Sequence, residues 1–443
     1  MPLPLQSLLG LVVFIVLTWL LGRALAWRRG EGFVPGEAVA QIPWRVVTLG
    51  LALQFGFALL VLKTPGGDYA FKLAERGALA LLGFALEGAA FLFGGLTSFD
   101  PLPVSDGETT VGTLRLGAGF AFNILPTIIV FSSFAALLYH VGVMKWIVGG
   151  IAWVMRRTMR TSGAETLSAA ANVFFGQTEA PLFIKPFLAK ATRSELHAIM
   201  VGGFANIASG VLGAYAGLLA AAGIQGGAGH LLAASLISAP AGLICAKLLV
   251  PETQHSETAG DTPIHTPRPD ANLIDAAARG ALDGLYLALN VGAMLIAFVA
   301  IVALLNGVLS FVDVAGEPLT LQRILGWLFV PLAWLCGVPV GECPEFGTLV
   351  GLKTTLNEYF GYARLASGYG EGGTAYLSDR TVTLAIYALC GFANFASVAI
   401  QIGGIGSLAP ERRRDLSELG LLAMVGGTIA SLMTACVVGV IVW

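Results

Sequence analysis

Charge is what this chain has least of. Only 12% of its 443 residues are Asp, Glu, Lys or Arg, against about 25% in a soluble domain. With 56% hydrophobic residues and a mean hydropathy of +0.80, a water-surrounded globule is excluded. No cationic surface is present either: the net charge is −2 and no basic stripe with interleaved aromatics occurs, which sets nucleic acid aside. The five histidines lie singly, so they indicate neither a proton relay nor a transition-metal site. Five cysteines (Cys245, Cys336, Cys343, Cys390, Cys436) show no CxxC spacing. All but Cys343 lie in apolar runs, where a thiol is a small packing residue, so neither disulfide nor metal is inferred. The first apolar run lacks the basic n-region of a signal peptide. Ala24-Leu25-Ala26 mimics a cleavage site, yet a retained helix is expected.

What is there is a series of apolar runs of roughly 20 residues, long enough to cross the hydrocarbon core as helices. They lie near Leu3 to Trp27, Val46 to Leu62, Leu116 to Leu138, Leu196 to Ala222, Leu231 to Val250, Leu285 to Leu309, Val382 to Ile402 and Leu416 to Trp443, giving eight expected transmembrane helices. Leu79 to Leu96, with Glu87 and several glycines, and the short Val141 to Met155 read as interfacial helices. The proline-broken Leu321 to Pro339 reads as one arm of a re-entrant hairpin. Arg23, Arg28 and Arg29 follow the first run, which by the positive-inside rule puts the N-terminus outside. Counting through eight spans then places Arg412, Arg413 and Arg414 in the cytoplasm too.

The chain also repeats itself. Gly203-Phe204-Ala205-Asn206-Ile207-Ala208-Ser209 returns as Gly391-Phe392-Ala393-Asn394-Phe395-Ala396-Ser397. Each copy follows a shorter segment in which acids and amides interrupt the apolar pattern: Gly176-Gln177-Thr178-Glu179-Ala180-Pro181 before the first, Lys353-Thr354-Thr355-Leu356-Asn357-Glu358 before the second. An interrupted apolar segment in both halves of a membrane protein points to a transporter built from two repeats around a midplane site. Gly176 and Pro181 bracket the first polar middle, so a hairpin that dips in and turns back is expected from Ala164 to Leu188, and a second from Leu321 to Glu358.

Glu179 and Glu358 are the first site candidates, because an ionisable group inside a bilayer costs at least about 2.5–3.5 kcal/mol and implies a partner or a function. The alternative places each at a hairpin mouth in water. Asn206 and Asn394 are the second pair. Small residues around them suit close helix packing with Asn or Ser bonding across the interface, and they equally suit a helix that unwinds at mid-membrane. Asn172, the carbonyls around Phe175, and Asn206 are plausible oxygen donors for a hard cation. Carboxylates, amides and hydroxyls together suit a polar, hydroxyl-bearing solute. Glu342 and Glu345 have no counterpart in the first repeat and read as surface or packing acids. Gly403-Gly404-Ile405-Gly406 lacks the Lys-Ser/Thr of a phosphate loop and reads as helix-end punctuation.

These motifs resemble the concentrative nucleoside transporter family. The resemblance rests on Gly176-Gln177-Thr178-Glu179-Ala180-Pro181-Leu182, on Ser238-Ala239-Pro240 with Lys247 and Pro251-Glu252-Thr253, and on Gly351-Leu352-Lys353-Thr354 with Asn357-Glu358-Tyr359. It rests also on Cys390-Gly391-Phe392-Ala393-Asn394-Phe395 running on to Gly403-Gly404-Ile405-Gly406-Ser407-Leu408-Ala409-Pro410, and it covers the chain from about Leu116 onward. It implies an all-α polytopic protein of the bacterial inner membrane: a homotrimer whose subunits each have eight membrane helices, two re-entrant hairpins and interfacial helices, with inverted repeats and a transport domain moving against a trimeric scaffold. Gln177, Thr178 and Glu179 would bond the nucleobase; Glu358, Asn394 and Ser397 would hold the ribose, with Phe392 packing nearby. Asn172, Phe175, Asn206 and Ile207 would line a sodium site. Tyr359 stands where the family usually has Phe, and Asn206 where Ser or Thr is common; an amide oxygen is able to ligate sodium.

The expected organisation is a scaffold region at 1–115, the first repeat with hairpin and unwound helix at 116–250, a cytoplasmic linker and scaffold helix at 251–320, and the second repeat at 321–443. The expected activity is sodium-coupled nucleoside symport by alternating access, with uridine a representative substrate. The alternatives are proton coupling through Glu179, as some family members use protons, and a membrane-embedded enzyme with Glu179 and Glu358 as acid and base. The last lacks a nucleophile, a metal cluster and a basic phosphate clamp.

Overall fold

The computed structural model describes residues 1–28, 42–97, 102–105, 110–114, 121–122, 125–259, 270–314, 316–368 and 377–442. Arg29, parts of the 251–270 linker and parts of the glycine-rich loop at 368–373 lie outside the described residues.

Helices dominate. Three N-terminal helices, α1 (Leu3–Arg28), α2 (Trp44–Lys63) and α3 (Pro65–Phe93), precede a short antiparallel hairpin, β1 (Leu102–Ser105) with β2 (Thr110–Leu114). Then α4 (Leu125–Val141) runs to Gly142, whose φ of 92° lies in the left-handed region. There the chain turns by 78° into α5 (Val143–Met159). Four helices follow: α6 (Gly163–Ala171), the single turn α7 (Lys185–Leu188), α8 (Arg193–Ala205) and α9 (Ser209–Ala221). Next come α10 (Gly227–Leu249), the long α11 (Leu273–Leu309) and a two-residue ladder of β3 (Asp313–Val314) and β4 (Glu317–Pro318). The last six are α12 (Leu321–Leu335), α13 (Cys343–Thr355), α14 (Glu358–Gly368), α15 (Asp379–Leu389), α16 (Phe395–Leu408) and α17 (Arg413–Ile441).

The core lies where α10 and α17 pack on each other and on α8. Small residues decide these approaches. A Cβ on Gly427 of α17 would lie 2.3 Å from that of Phe204, and one on Gly280 of α11 would lie 2.6 Å from Ala136 of α4. By contrast α1, α3 and α11 carry outward Leu, Ile and Phe side chains such as Phe91 (93% exposed), Ile296 (77%) and Leu304 (70%). Apolar faces of that extent are lipid- or protein-facing surface.

Among the described residues, four helices are each long and apolar enough to cross a membrane: Leu3–Ala26, Trp44–Lys63, Gly227–Leu249 and Pro410–Ile441. The other four expected spans differ in form. Leu285 to Leu309 is the C-terminal part of α11, and Leu116 to Leu138 is represented by the 17-residue α4. Leu196 to Ala222 and Val382 to Ile402 are not continuous: each is two helices around a break, at Asn206–Ala208 and at Cys390–Asn394. The second polar segment, expected as a hairpin from Leu321 to Glu358, contains two turns. α12 and α13 form one antiparallel pair, but Leu356 and Asn357 mark a further turn, between α13 and α14. Glu342 and Glu345, expected as surface or packing acids, make exposed contacts: Glu342 accepts from the Ser378 backbone N–H and hydroxyl, and Glu345 receives Arg364 in a bidentate pair.

The helices around the first polar segment start where capping chemistry dictates. Ser162 and Glu165 form a capping box on α6, and Thr192 and Glu195 another on α8. The second oxygen of Glu165 pairs with Lys247 Nζ at 2.6 Å, and Lys247 also donates to Ser194 Oγ at 2.9 Å. The start of α6, the start of α8 and the end of α10 are therefore bonded together at one end of the bundle.

Candidate functional site: a polar cavity beside two helix breaks

The two seven-residue copies fall on the two breaks, and the breaks touch. In the first, Asn206 leaves the helix with φ −123° and ψ 163°, and Ala208 (φ −73°, ψ 146°) leads into α9. In the second, Gly391 holds φ +122° and Asn394 (φ −143°, ψ 164°) leads into α16. The Phe392 backbone N–H donates to the Asn206 carbonyl at 3.3 Å. A Cβ on Gly391 would lie 2.5 Å from the Phe204 carbonyl oxygen, so the crossing requires glycine twice over, for its φ and for the close approach.

Beside this crossing is a cavity, about 760 Å3 of empty space with its open mouth included. Its polar lining comes from three places: Gln177, Thr178 and Glu179 between α6 and α7; Asn357 and Glu358 at the α13–α14 turn; and Asn394 and Ser397 at the start of α16. Tyr215, Tyr359 and Phe392 supply aromatic walls, and Ile128, Val211 and Ile400 aliphatic ones.

On one side, Glu358 is buried and held from two directions. Tyr215 Oη donates to its Oε1 at 2.6 Å and Asn394 Nδ2 donates to its Oε2 at 3.2 Å. Tyr215 stacks on Tyr362 at 4.9 Å, and Tyr362 donates to the Ile386 carbonyl, which fixes the ring. Asn394 spends its own oxygen as the N-cap of α16, accepting from Ser397 N–H at 2.8 Å. On the other side, Gln177 Oε1 accepts from Gln401 Nε2 at 3.0 Å. Glu179 Oε2 is buried with no hydrogen-bond partner and lies against Gly176, where a Cβ would come within 2.2 Å of it. An unpartnered buried acceptor is costly, and it is the kind of atom that a ligand donor satisfies.

A second cluster lies at the first break. Asn172, at the end of α6, donates from Nδ2 to the Ser168 carbonyl while its Oδ1 is buried without a partner. It packs against Gly202, one turn before Asn206, whose Nδ2 donates to the Gly202 carbonyl. Asn206 Oδ1 accepts from Ser238 Oγ at 2.5 Å. Ile207 lies in the break itself and Phe175 in the turn after α6, with its ring packed on Tyr139 and Phe183. The second break is provisioned differently: Lys353 on α13 donates to the Ala388 carbonyl (2.9 Å), the Cys390 carbonyl (3.4 Å) and Ser431 Oγ (3.2 Å).

The structure thus brings Gln177, Thr178, Glu179, Glu358, Phe392, Asn394 and Ser397 around one cavity, and sets Asn172 against the helix that ends at Asn206. Sequence reasoning missed Tyr215 and Gln401. Each is a polar side chain within an apolar run, which was the only available signal, and Lys353 was noticed only as part of a motif. Among the described residues no group of His, Cys, Asp and Glu is arranged to hold a metal ion, and the cysteines are free and buried. The arrangement suits a neutral polar solute with hydroxyls at one end, facing Glu358 and Asn394, and a flat hydrogen-bonding edge at the other, facing Gln177 and Glu179.

Comparison with known proteins agrees along the chain. Residues 230–439 match the family described as Na+ dependent nucleoside transporter C-terminus, residues 32–96 the corresponding N-terminus family, and residues 121–222 a family described as nucleoside recognition. An uncharacterized transporter of Haemophilus influenzae is 40% identical over 441 residues, spanning 99% of this chain and 98% of its own. Sodium/nucleoside cotransporter 1 of Rattus norvegicus is 38% identical over 463 residues, covering 99% of this chain and 64% of its own. Among solved structures, CNTnw in an inward-facing substrate-bound state superposes with a TM-score of 0.84 at 38% identity, covering 99% of this chain and 97% of that one. A double variant of CNTnw in an outward-facing state gives 0.83 at the same identity and the same coverage.

Proposed function

Since this chain belongs to the concentrative nucleoside transporter family, we propose that it carries nucleosides across a membrane together with sodium, by alternating access, as a secondary transporter and not an enzyme. The observation that carries this reading is the cavity with two unlike polar ends. Glu358, Asn394 and Ser397 hold the ribose hydroxyls, Gln177, Thr178 and Glu179 take the nucleobase edge, and Phe392 packs against the solute. Charged acceptors suit sugar hydroxyls because hydrogen bonds to an ionised group are about twice as strong as neutral ones.

Sodium is a co-transported substrate. Asn172, the Phe175 and Ile207 carbonyls and Asn206 supply its oxygens; the unpartnered Oδ1 of Asn172 is the observation that favours this set. Sodium there joins the end of α6 to the α8–α9 break, and so sets the Gln177–Glu179 wall before the nucleoside arrives. Coupling follows if nucleoside prefers the ion-bound state, since a ligand shifts an equilibrium only by its differential affinity.

In the same reading 1–115 and 251–320 belong to a scaffold and 116–250 and 321–443 carry the moving repeats, with the α6–α7 and α13–α14 segments as re-entrant hairpins. Three copies assemble in the bacterial plasma membrane. The existence of relatives solved facing inward and outward supports alternating access.

The test is radiolabelled uridine uptake into proteoliposomes under an inward sodium gradient or an inward proton gradient at matched ionic strength. Uptake that follows sodium and is lost in Asn172→Ala is expected. Uptake driven by the proton gradient alone would move coupling to Glu179, and no uptake under either gradient would overturn the reading.

A further inference from the structure

Gln401 does not line the cavity, yet it decides how one of the cavity residues presents itself. Its Nε2 lies 3.1 Å from the Met200 carbonyl oxygen and 3.0 Å from Gln177 Oε1. A backbone carbonyl only accepts, so the Met200 oxygen identifies the nearby Gln401 atom as the amide nitrogen. Turning that amide round would set two acceptors against each other. The nitrogen carries two hydrogens; one goes to Met200 and the second to Gln177, whose facing atom must therefore be its oxygen. That leaves Gln177 Nε2, a donor with no protein partner among the described residues, on the cavity side. The pair exists because residue 203 is glycine: a Cβ there would lie 2.8 Å from both Gln401 Nε2 and Gln177 Cβ. Gln401 Oε1 remains buried without a partner, so the amide is not placed for its own satisfaction.

We propose that Gln401 is a specificity-determining positioning residue that locks Gln177 as a hydrogen-bond donor next to the acceptor Glu179, so that the site reads a nucleobase edge carrying an acceptor beside a donor. The inference rests on the nucleoside reading of the cavity. Uracil meets the requirement with a ring N–H flanked by carbonyls, and hypoxanthine with its ring N–H beside one carbonyl. Guanine meets it too, and it alone of these also offers two adjacent donors, the ring N–H and the 2-amino group.

Gln401→Glu tests the polarity. A carboxyl group carries at most one hydrogen in place of the amide's two. Whether ionised or not, it cannot serve both Met200 and Gln177 as donor, so Gln177 turns its own N–H2 toward residue 401 and its oxygen toward the substrate. Two adjacent acceptors then face the base. The measurement is competition by uridine, inosine and guanosine against sodium-driven uptake of labelled nucleoside, with 3′-deoxyuridine to monitor the ribose end. In the variant, uridine and inosine weaken by about tenfold, the loss of one hydrogen bond. Guanosine gains relative to inosine, while the uridine to 3′-deoxyuridine ratio is unchanged. A merely structural role would weaken all ligands together.

Gln401→Asn keeps an amide but draws it back from Gln177. It gives a smaller loss for uridine with the guanosine to inosine ratio between wild type and Gln401→Glu, and it serves if the carboxyl variant does not fold. Unchanged base ratios in both variants, with wild type still transporting uridine, would overturn this inference alone. Absence of nucleoside binding in wild type would overturn the functional reading instead.

Discussion

The two seven-residue copies are close in sequence and different in work. Asn206 and Asn394 share nearly the same extended backbone, φ −123° against −143°. Yet Asn206 turns its amide inward to Gly202 and Ser238, away from the cavity lining, while Asn394 caps α16 and grips Glu358 at the cavity wall. Gly203 leaves room for a side-chain pair, and Gly391 leaves room for a backbone and takes a φ that other residues resist. A repeat therefore duplicates a way of breaking a helix, and the neighbours decide what the break is used for.

The comparison breaks most sharply at Glu358, the anchor of the second copy. Glu358→Gln removes the charge from bonds to Tyr215 and Asn394 and from the substrate hydroxyls, each such bond being worth about 1.5–3 kcal/mol. Uridine uptake should fall by about 100-fold while the protein remains folded in detergent; retained uptake would detach Glu358 from the site. The glycines come next. Gly391→Ala forces a Cβ against the Phe204 carbonyl at a positive φ, and a stability loss of at least about 2 kcal/mol is expected in thermal melts. Gly203→Ala should instead raise the KM for uridine more than it lowers Tm, because the two nearest atoms in its way, Gln177 Cβ and Gln401 Nε2, belong to side chains. Equal effects from the two would mean that the copies are used alike.

Lys353→Met leaves the buried Ala388 carbonyl at the end of α15 without its side-chain donor, while the Cys390 carbonyl keeps Ser431, at a cost of about 1–3 kcal/mol. The sodium concentration for half-maximal uptake should stay where it is, and a change there would tie Lys353 to the ion. The asparagines give a finer contrast. Asn394→Ala loses a helix cap, about 1 kcal/mol, and raises the KM for nucleoside; Asn206→Ala should raise the sodium requirement. The smallest effect lies outside both copies. Arg279 donates to both oxygens of Asp270 and holds its carboxyl below the usual carboxylate range. A depressed pKa contributes stability that is present in full above the unfolded value near pH 4, and that is lost as pH falls through the lower folded value. Thermal melts from pH 6 downward should show this loss in wild type and not in Arg279→Gln, with uptake above pH 5 unaffected in both.

The breaks were legible because asparagine and glycine recur together inside apolar runs, and the cavity was legible because its acids and amides interrupt such runs. What escaped were partners that only folding brings near. Tyr215 meets Glu358 across 143 residues and Gln401 meets Gln177 across 224, and a lone Tyr or Gln in an apolar stretch says nothing of what it will touch. The turn between α13 and α14 escaped for a related reason. The proline-broken stretch from Leu321 to Pro339 reads as one arm of a hairpin, and the α12–α13 pair does reverse near its end, but the chain turns again at Asn357. Proline marks one bend and carries no information about the next.

Lys353 gives the second break a property that no exchangeable ligand confers. Its ammonium has three hydrogens and finds three acceptors, the carbonyls of Ala388 and Cys390 and the Ser431 hydroxyl, whose own hydrogen is given to the Cys390 carbonyl. Because that cation is covalently tethered, its local concentration does not follow the composition of the medium and no translational freedom is lost each time it docks. At the other break Asn172 carries a buried oxygen without a partner, so under the proposed sodium reading responsiveness to an ion would belong to the one half of the cavity that has no cation tethered within the chain.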